Sequence, residues 1–409
     1  MSDKETSGPD ILVTGLGATT PLGGDIATTW AALLAGESGI RELEVPWVED
    51  LPVRIAGALR KNPEDDIDRV QRRRLDRNQQ VALIAAREAW ADAGAPEVAP
   101  DRLAVVIGTG IGGVLTTLDQ YDTMAEGGSR RVSPYTVPRL MPNGAAAVVS
   151  IELGAQAGAH TPTSACASGA EAIAVAASLI RTGRADVVVT GGVDACLHPL
   201  MIAGFARIGS LSTRNDVPEA ASRPFDQDRD GFVMAEGAGM LVLERADFAR
   251  ARGARVRARY GGAGITSDAY GITSPAAEGQ IRAIRSALRD AGVAATDIGH
   301  VNAHATGTPT GDVTEASAIK ETVSDAALVT STKASTGHLI GAAGAVEAIF
   351  TVLALQEGVV PPNRNLENPA PEIELDLVDG SSRAARLDAA LSTSFGFGGH
   401  NVALVFTRH

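Results

Sequence analysis

SGAEAIAVAASLIRTG (Ser168–Gly183) is answered by AGAVEAIFTVLALQEG (Ala343–Gly358), 175 residues further along the chain. Each reads as an Ala-rich helix closed by glycine, the residue that most readily turns the backbone off a helix axis. A second echo keeps the same order: REAWADAG (Arg87–Gly94) leads into APEVAPDRLAVVIGTG, and RSALRDAG (Arg285–Gly292) leads into VAATDIGHVNAHATG, at an offset of 198. One such pair is what Ala-rich helices share by chance. Two pairs in one order at similar offsets point to a duplicated fold, split near residue 250.

Outward from these helices, short apolar runs alternate with helical stretches, the pattern of an α/β fold. Strands are expected at Ile11–Thr14, Leu103–Ile107, Asp186–Thr190, Met240–Leu243, His300–Ala303 and Asn401–Phe406. Helices are expected at Gln79–Ala93, Gly169–Arg181, Gln280–Ala291 and Ala342–Gln356. The division expected is an N-terminal half, residues 1–254, and a C-terminal half, residues 255–409.

Composition narrows the function classes. With 44% hydrophobic and 21% charged residues the chain is globular, and 45 glycines against 4% aromatics suit closely packed small-residue layers. A net charge of −13 excludes general nucleic-acid binding, which needs a basic excess. The two cysteines, Cys166 and Cys196, have neither metal-ligand spacing nor a disulfide framework. The start, MSDKETSGPD, is polar, and no run of eighteen apolar residues occurs, so a cytoplasmic protein without a membrane span is expected.

Four segments carry chemistry. In PTSACASGAEAIA (Pro162–Ala174), Cys166 sits among small residues just before a helix. The free N–H groups and positive end of that helix are expected to lower the thiol pKa toward a usable thiolate. Cys196, after the apolar DVVVTGGVDA, reads as a buried structural thiol. His304 in VNAHATGTPTGD and His338 in STKASTGHLIGAAGA occupy Gly- and Thr-rich loops at strand ends. Two neutral imidazole donors would stabilise an enolate without a base, and Lys333, one of four lysines, would tune the electrostatics. Finally, SFGFGGHN (Ser394–Asn401) offers backbone N–H groups for an oxyanion hole. TGIGG (Thr109–Gly113) lacks the Lys-Ser/Thr ending of a phosphate-binding loop.

Together these segments resemble the elongating β-ketoacyl-acyl-carrier-protein synthases of the thiolase superfamily. The resemblance runs from VTGLGATTPLG (Val13–Gly23) through SRPFDQDRDGFVMAEGAG (Ser222–Gly239) to FGFGGHN (Phe395–Asn401), nearly the whole chain. Its specific part is Cys166, His304, Lys333 and His338 in that order. Priming synthases use Cys-His-Asn, so the second histidine points to the malonyl-carrier-protein branch. Ala305 stands where many relatives have glycine, a feature that actinobacterial long-chain, mycolate-type members resemble more closely.

The resemblance implies a five-layered αβαβα thiolase-like fold, a homodimer, and condensation of an acyl group on Cys166 with malonyl-acyl-carrier-protein. It implies an oxyanion hole from the N–H groups of Cys166 and Phe397, with Phe397 gating the acyl pocket. Thr306 and Thr308 match positions that bind the phosphopantetheine arm, which arrives on the carrier protein, and no cofactor is required. Ile111, Thr136 and Phe205 match acyl-pocket positions. Asn302, Glu347 and Ser392 match either a monovalent-cation site (Na or K) or a plain buried hydrogen-bond network. Arg72, Arg73 and Arg74, with Arg130 and Arg131, are basic islands that read as a solvated face or as a docking patch for an acidic carrier protein.

Other readings stay in view. A type II polyketide ketosynthase would share the active site and need a chain-length partner. A thiolase would want a second cysteine where His400 stands. An inactive carrier-binding subunit would not need the Cys-His-His set, and a hydrolase would need an acid to orient a histidine. Acyl length, saturation and branching are not encoded in these motifs.

Overall fold

The computed structural model describes residues 8–409; part of the polar start read above, residues 1–7, lies outside the described residues. Strands β1 (Ile11–Thr19), β2 (Leu103–Gly108), β3 (Ala159–His160), β4 (Val187–Asp194) and β5 (Gly237–Arg245) come first in the chain. They are followed by β6 (Ala258–Ser267), β7 (Ile298–Asn302), β8 (Leu328–Thr330), β9 (Asp376–Leu377), β10 (Ala389–Gly396) and β11 (His400–Thr407). All hydrogen-bond in the order β9-β8-β7-β10-β11-β6-β1-β5-β4-β2-β3.

The centre of that order is the short β1–β6 pairing of Ile11–Val13 with Ala258–Tyr260. Outward from it the two wings match. On one side β1, β5 and β4 are antiparallel neighbours, and β4, β2 and β3 are parallel. On the other, β6, β11 and β10 are antiparallel, and β10, β7 and β8 are parallel. The duplication read from two helix echoes is thus repeated in the strand connectivity.

Helices complete five layers. Helices α1 (Arg77–Asp92) and α2 (Gly144–Leu153) cover the outer face of the first wing. Helices α3 (Ser168–Arg181) and α6 (Ala343–Glu357), the echoed pair, pack on each other between the wings. Helices α4 (Ala277–Ala291) and α5 (Pro309–Thr322) cover the second wing.

Strand alternation sorts the side chains. Val188, Leu241 and Leu243 face α3 and α6, while Val187, Val189, Met240 and Val242 face α1 and α2. In β11, Val402, Leu404 and Phe406 point to the middle layer and Ala403 and Val405 outward. In β1 both Ile11, Val13 and Leu16, Ala18 face the middle, because a bulge between Val13 and Gly15 shifts the register. A side chain at Gly17 would collide with the Ala85 carbonyl of α1, and one at Gly264 with the Ala283 carbonyl of α4. Glycine on those strands lets each outer helix lie close.

Helix ends follow local chemistry. Asp76 caps α1, accepting from the Asn78 amide, and Gln79 returns a bond to the Asp76 N–H. Helix α3 shows an inward stripe of Ile173, Ala176, Ala177 and Ile180. Helix α6 is buried nearly all round, which is why Ile340–Glu357 is apolar enough to resemble a membrane span. Each strand and helix expected from the sequence is present. Five strands of the sheet lie outside those expected: Gly, Thr and Ser interrupt the apolar pattern of β6 and β10, and β3, β8 and β9 are only two or three residues long.

Candidate active site

The parallel strands aim their carboxyl ends at one place, where loops can gather side chains from distant sequence. Cys166 stands in a tight turn, Ala165–Ala167, that opens α3. Ala165 takes φ +52°, a left-handed conformation that costs energy for a residue with a Cβ. The Ser168 hydroxyl holds the turn, donating to the Ala165 carbonyl at 2.6 Å and accepting from the Ser164 amide at 2.9 Å. Gly396, ending β10, lies against it: an added Cβ would sit 3.1 Å from the Cys166 nitrogen.

His338 follows β8 and the short helix Lys333–Thr336, and its Nε2 lies 3.0 Å from Cys166 Sγ. Its own amide donates to the Val233 carbonyl at 2.7 Å, and Phe232 packs edge-on with ring centres 5.1 Å apart. His304 follows β7; its ring stands at 84° to that of His338, centres 5.3 Å apart. A ligating atom from each of Cys166, His304 and His338 lies within 4.8 Å of the other two. Neither Nδ1 has a hydrogen-bond partner, so among the described residues no carboxylate orients either ring as a base.

Two buried carboxylates missing from the sequence reading shape the site. Glu315 on α5 accepts from the amides of His304 at 2.8 Å and Ala305 at 2.6 Å, and from the Thr393 hydroxyl at 2.7 Å. It therefore fixes the loop that carries His304. Asp194, at the end of β4, accepts from Thr109, Gly110, Ile111 and Gly341. In sequence each is one acid among 49 Asp and Glu, and only burial distinguishes them.

Lys333 is fully buried and ion-paired with Glu347 of α6. Asn302 and Ser392 are register partners on β7 and β10, and Asn302 Nδ2 donates to the Glu347 carbonyl at 3.4 Å. Asn302 Oδ1, Ser392 Oγ and Glu347 Oε2 are all buried without a partner. Three orphaned oxygens, one from a carboxylate, fit a small monovalent cation.

Burial governs the electrostatics. It holds both His304 and His338 well below the usual imidazole range, with the Lys333 charge adding to the effect, so both rings are neutral at pH 7. The Cys166 thiol corrects the expectation from the helix terminus. Burial pushes it up to about 11, outweighing Lys333 and the N–H groups of Phe397 and Cys166 that favour the thiolate. The resting residue is a thiol beside an imidazole. Burial also lifts Glu315 and Glu347 to about 7. Cys196 is fully buried and pushed well up by burial, as expected for a structural thiol.

A cavity of about 430 Å³ opens on Cys166 and is lined also by Phe205, Thr306, Thr308 and Phe397. The Thr306 and Thr308 hydroxyls lie 3.1 Å apart. Ile111 and Thr136 do not line it in the single chain. Ile111 packs instead into the apolar cluster holding Phe232 and Ile340, and the Thr136 hydroxyl bonds the Ser133 carbonyl at 2.7 Å. Arg73, Arg74, Arg130 and Arg131 are exposed, Arg72 pairs with Glu64, and Arg74 lies 5.9 Å over the Tyr135 ring.

Family models for "Beta-ketoacyl synthase, N-terminal domain" and "Beta-ketoacyl synthase, C-terminal domain" match residues 9–249 and 257–367. The 3-oxoacyl-[acyl-carrier-protein] synthase 2 of Mycobacterium tuberculosis is 48% identical over 407 residues, 98% of each chain. The ishigamide ketosynthase/chain length factor superposes with a TM-score of 0.92 at 32% identity, over 98% of this chain and 100% of that one. A type II polyketide synthase acyl-carrier protein in complex with its ketosynthase bound to the hexaketide gives 0.91 at 29% identity, with the same coverage.

Proposed function

The chain belongs to the beta-ketoacyl synthase family, and on that premise we propose that it carries out decarboxylative Claisen condensation in fatty acid elongation. An acyl group held as a thioester on Cys166 reacts with malonyl-acyl-carrier-protein to give 3-oxoacyl-acyl-carrier-protein and CO2. The carrying observation is the convergence of one thiol and two neutral imidazoles in one cavity. With no partner on Nδ1 to strengthen it as a standing base, a neutral imidazole can pass the thiol proton on in one stage and, as an Nε2–H donor, meet an oxyanion or enolate in the next.

In the first stage the Cys166 sulfur bonds to the acyl carbonyl carbon while the carrier's C–S bond breaks. His338 relays the thiol proton to the departing phosphopantetheine sulfur, and the N–H groups of Cys166 and Phe397 hold the oxyanion. In the second stage the malonyl C–C bond breaks, CO2 leaves, and its electron pair becomes an enolate. The enolate oxygen accepts from His304 and His338. The enolate carbon then bonds to the thioester carbonyl carbon, and the Cys166–acyl bond breaks; the sulfur takes up a proton that solvent supplies through His338. Burial keeps both rings neutral, and Lys333, fixed by Glu347, adds a positive potential that reinforces it.

Thr306 and Thr308 bind the phosphopantetheine arm at the cavity mouth, with Phe397 as its gate and Phe205 in the acyl wall. Ile111 and Thr136 complete the acyl pocket in a homodimer. Arg72, Arg73, Arg74, Arg130 and Arg131 dock the acidic carrier protein. Asn302, Glu347 and Ser392 would hold a monovalent cation, which supplies charge to the buried Glu347 and no step of the reaction. A reducing cytoplasm fits two free thiols.

The test is intact-protein and peptide mass spectrometry after incubation with an acyl-carrier-protein thioester and no malonyl donor. An adduct on the Cys166 peptide, discharged as a ketoacyl product by malonyl carrier protein, is expected. No adduct at any chain length in folded protein would overturn the reading. The likeness to polyketide ketosynthases supports the same chemistry with a chain-length partner, and a heterodimer on copurification would favour that pathway.

A further inference from the structure

Ala165 and Ile340 share an uncommon backbone conformation, φ +52° and +53°, and stand 175 positions apart, the offset of the echoed helices. Each begins a tight turn, Ala165–Ala167 or Ile340–Ala342, that runs into one of the paired central helices. The duplication therefore supplies two elbows, and Gly341 occupies in the second the place that Cys166 occupies in the first.

The elbows differ in what meets the amide after the left-handed residue. In the first, β10 ends in Gly396, where even a Cβ would come 3.1 Å from the Cys166 nitrogen. With no side chain there, the Cys166 N–H stays turned to its own sulfur and the cavity. In the second, the matching strand β4 ends in Asp194, whose Oδ2 takes the Gly341 N–H at 2.7 Å. One elbow is open to an incoming oxygen; the other is filled by an oxygen of the chain itself.

We propose that Asp194 is an internal anion that fills the second elbow, and that it is thereby the positioning residue that sets acyl chain-length selectivity in the Cys166 cavity. The proposal rests on the condensing reading above. Asp194 has 0% exposure, and all its donors are neutral. Oδ1 accepts from the Thr109 hydroxyl at 2.7 Å and the Ile111 amide at 3.2 Å; Oδ2 accepts from the Gly110 amide at 2.8 Å and that of Gly341. Ile111 and Ile340 belong to one apolar cluster with Phe205 and Phe232, and Ile340, Phe205 and Phe232 line the cavity. A single carboxylate thus ties the backbone of the Ile111 segment to the backbone beside Ile340.

No side chain can replace this tie by packing. A Cβ at Gly341 would meet the Gly110 nitrogen and Asp194 Oδ2, so two main chains and a carboxylate already fill the space. Burial lifts Asp194 only to about 6, which leaves it charged at pH 7 and able to accept from every donor around it. An asparagine would turn an NH2 toward peptide N–H groups and leave at least one buried donor unpaired. The Ile340 wall would then shift more easily against the Ile111 segment packed behind it, and the cavity would tell acyl lengths apart less sharply.

The test measures kcat/KM for acyl-carrier-protein donors of graded length in wild type, D194N and T109V, with thermal melting and CO2 release from malonyl carrier protein alongside. In D194N the spread between favoured and disfavoured lengths should shrink about tenfold, mainly through KM, while CO2 release holds. T109V keeps the shape but removes one donor to Asp194 and the acceptor of the Gly112 amide, leaving three of the four donors on the carboxylate, so the spread should shrink by a smaller factor in the same direction. A wild-type profile in both variants, or one uniform fall at all lengths, would overturn the proposal; if D194N fails to fold, T109V decides. Wild type that condenses at no length would instead sink the condensing reading, and this proposal with it.

Discussion

Cys166 Sγ lies 3.0 Å from His338 Nε2, although 172 positions separate the two residues in the chain. Burial has raised the thiol and lowered the imidazole, so the pair rests as two neutral groups sharing one proton between sulfur and nitrogen. Reactivity then depends on handing that proton on at the moment of acyl transfer rather than on a standing thiolate.

Cys166→Ala should abolish the acyl adduct and lower condensation by about 10³-fold or more. The turn is made of Ala and Ser already, so the melting temperature should move by only a few degrees, roughly. Peptide mass spectrometry and a thermal melt on one sample check both halves.

His304→Ala and His338→Ala should each slow malonyl decarboxylation by about 10²–10³-fold, the usual loss when one donor leaves an oxyanion site. Some Cys166 acylation should survive in each. Full condensation by either variant, followed as CO2 release and ketoacyl product, would remove that histidine from the mechanism.

Lys333→Met breaks a fully buried pair and leaves the Glu347 carboxyl buried without its cation, free to take up a proton, at a cost of up to about 3–5 kcal/mol. The double variant K333M/E347M should recover much of that stability without recovering activity. Urea denaturation of both, beside a condensation assay, separates the two effects.

Glu315→Gln tests the acid that carries the His304 loop. Burial raises this carboxyl from 4.5 to about 7, so between those values the folded chain keeps a proton that the unfolded chain has released. Its contribution is therefore greatest below pH 4.5, falls as pH rises through the window, and is level above about 7. The stability of wild type relative to E315Q should fall by as much as about 3 kcal/mol across that range, read from denaturation at stepped pH.

Charge reversal at Arg73 and Arg74, or at Arg130 and Arg131, should raise KM for the carrier protein about tenfold and reduce its salt dependence. Titration of carrier protein at two ionic strengths reads both. An unchanged KM would return these arginines to a solvated surface.

What the sequence determined was whatever short segments encode. The echoed helices Ser168–Gly183 and Ala343–Gly358 disclosed the duplication, because both must pack in the same middle layer and use the same small residues. Small neighbours marked the Cys166 turn, and Gly- and Thr-rich loops marked His304 and His338. Tertiary structure alone decided the rest. A helix N-terminus is a local feature and suggested a lowered thiol, whereas desolvation depends on every layer above the sulfur and raised it. Glu315 and Asp194 look like surface acids until burial and backbone donors from distant strands single them out. Desolvation and long-range pairing arise only when the wings close on the central helices, and no local pattern of residues carries them.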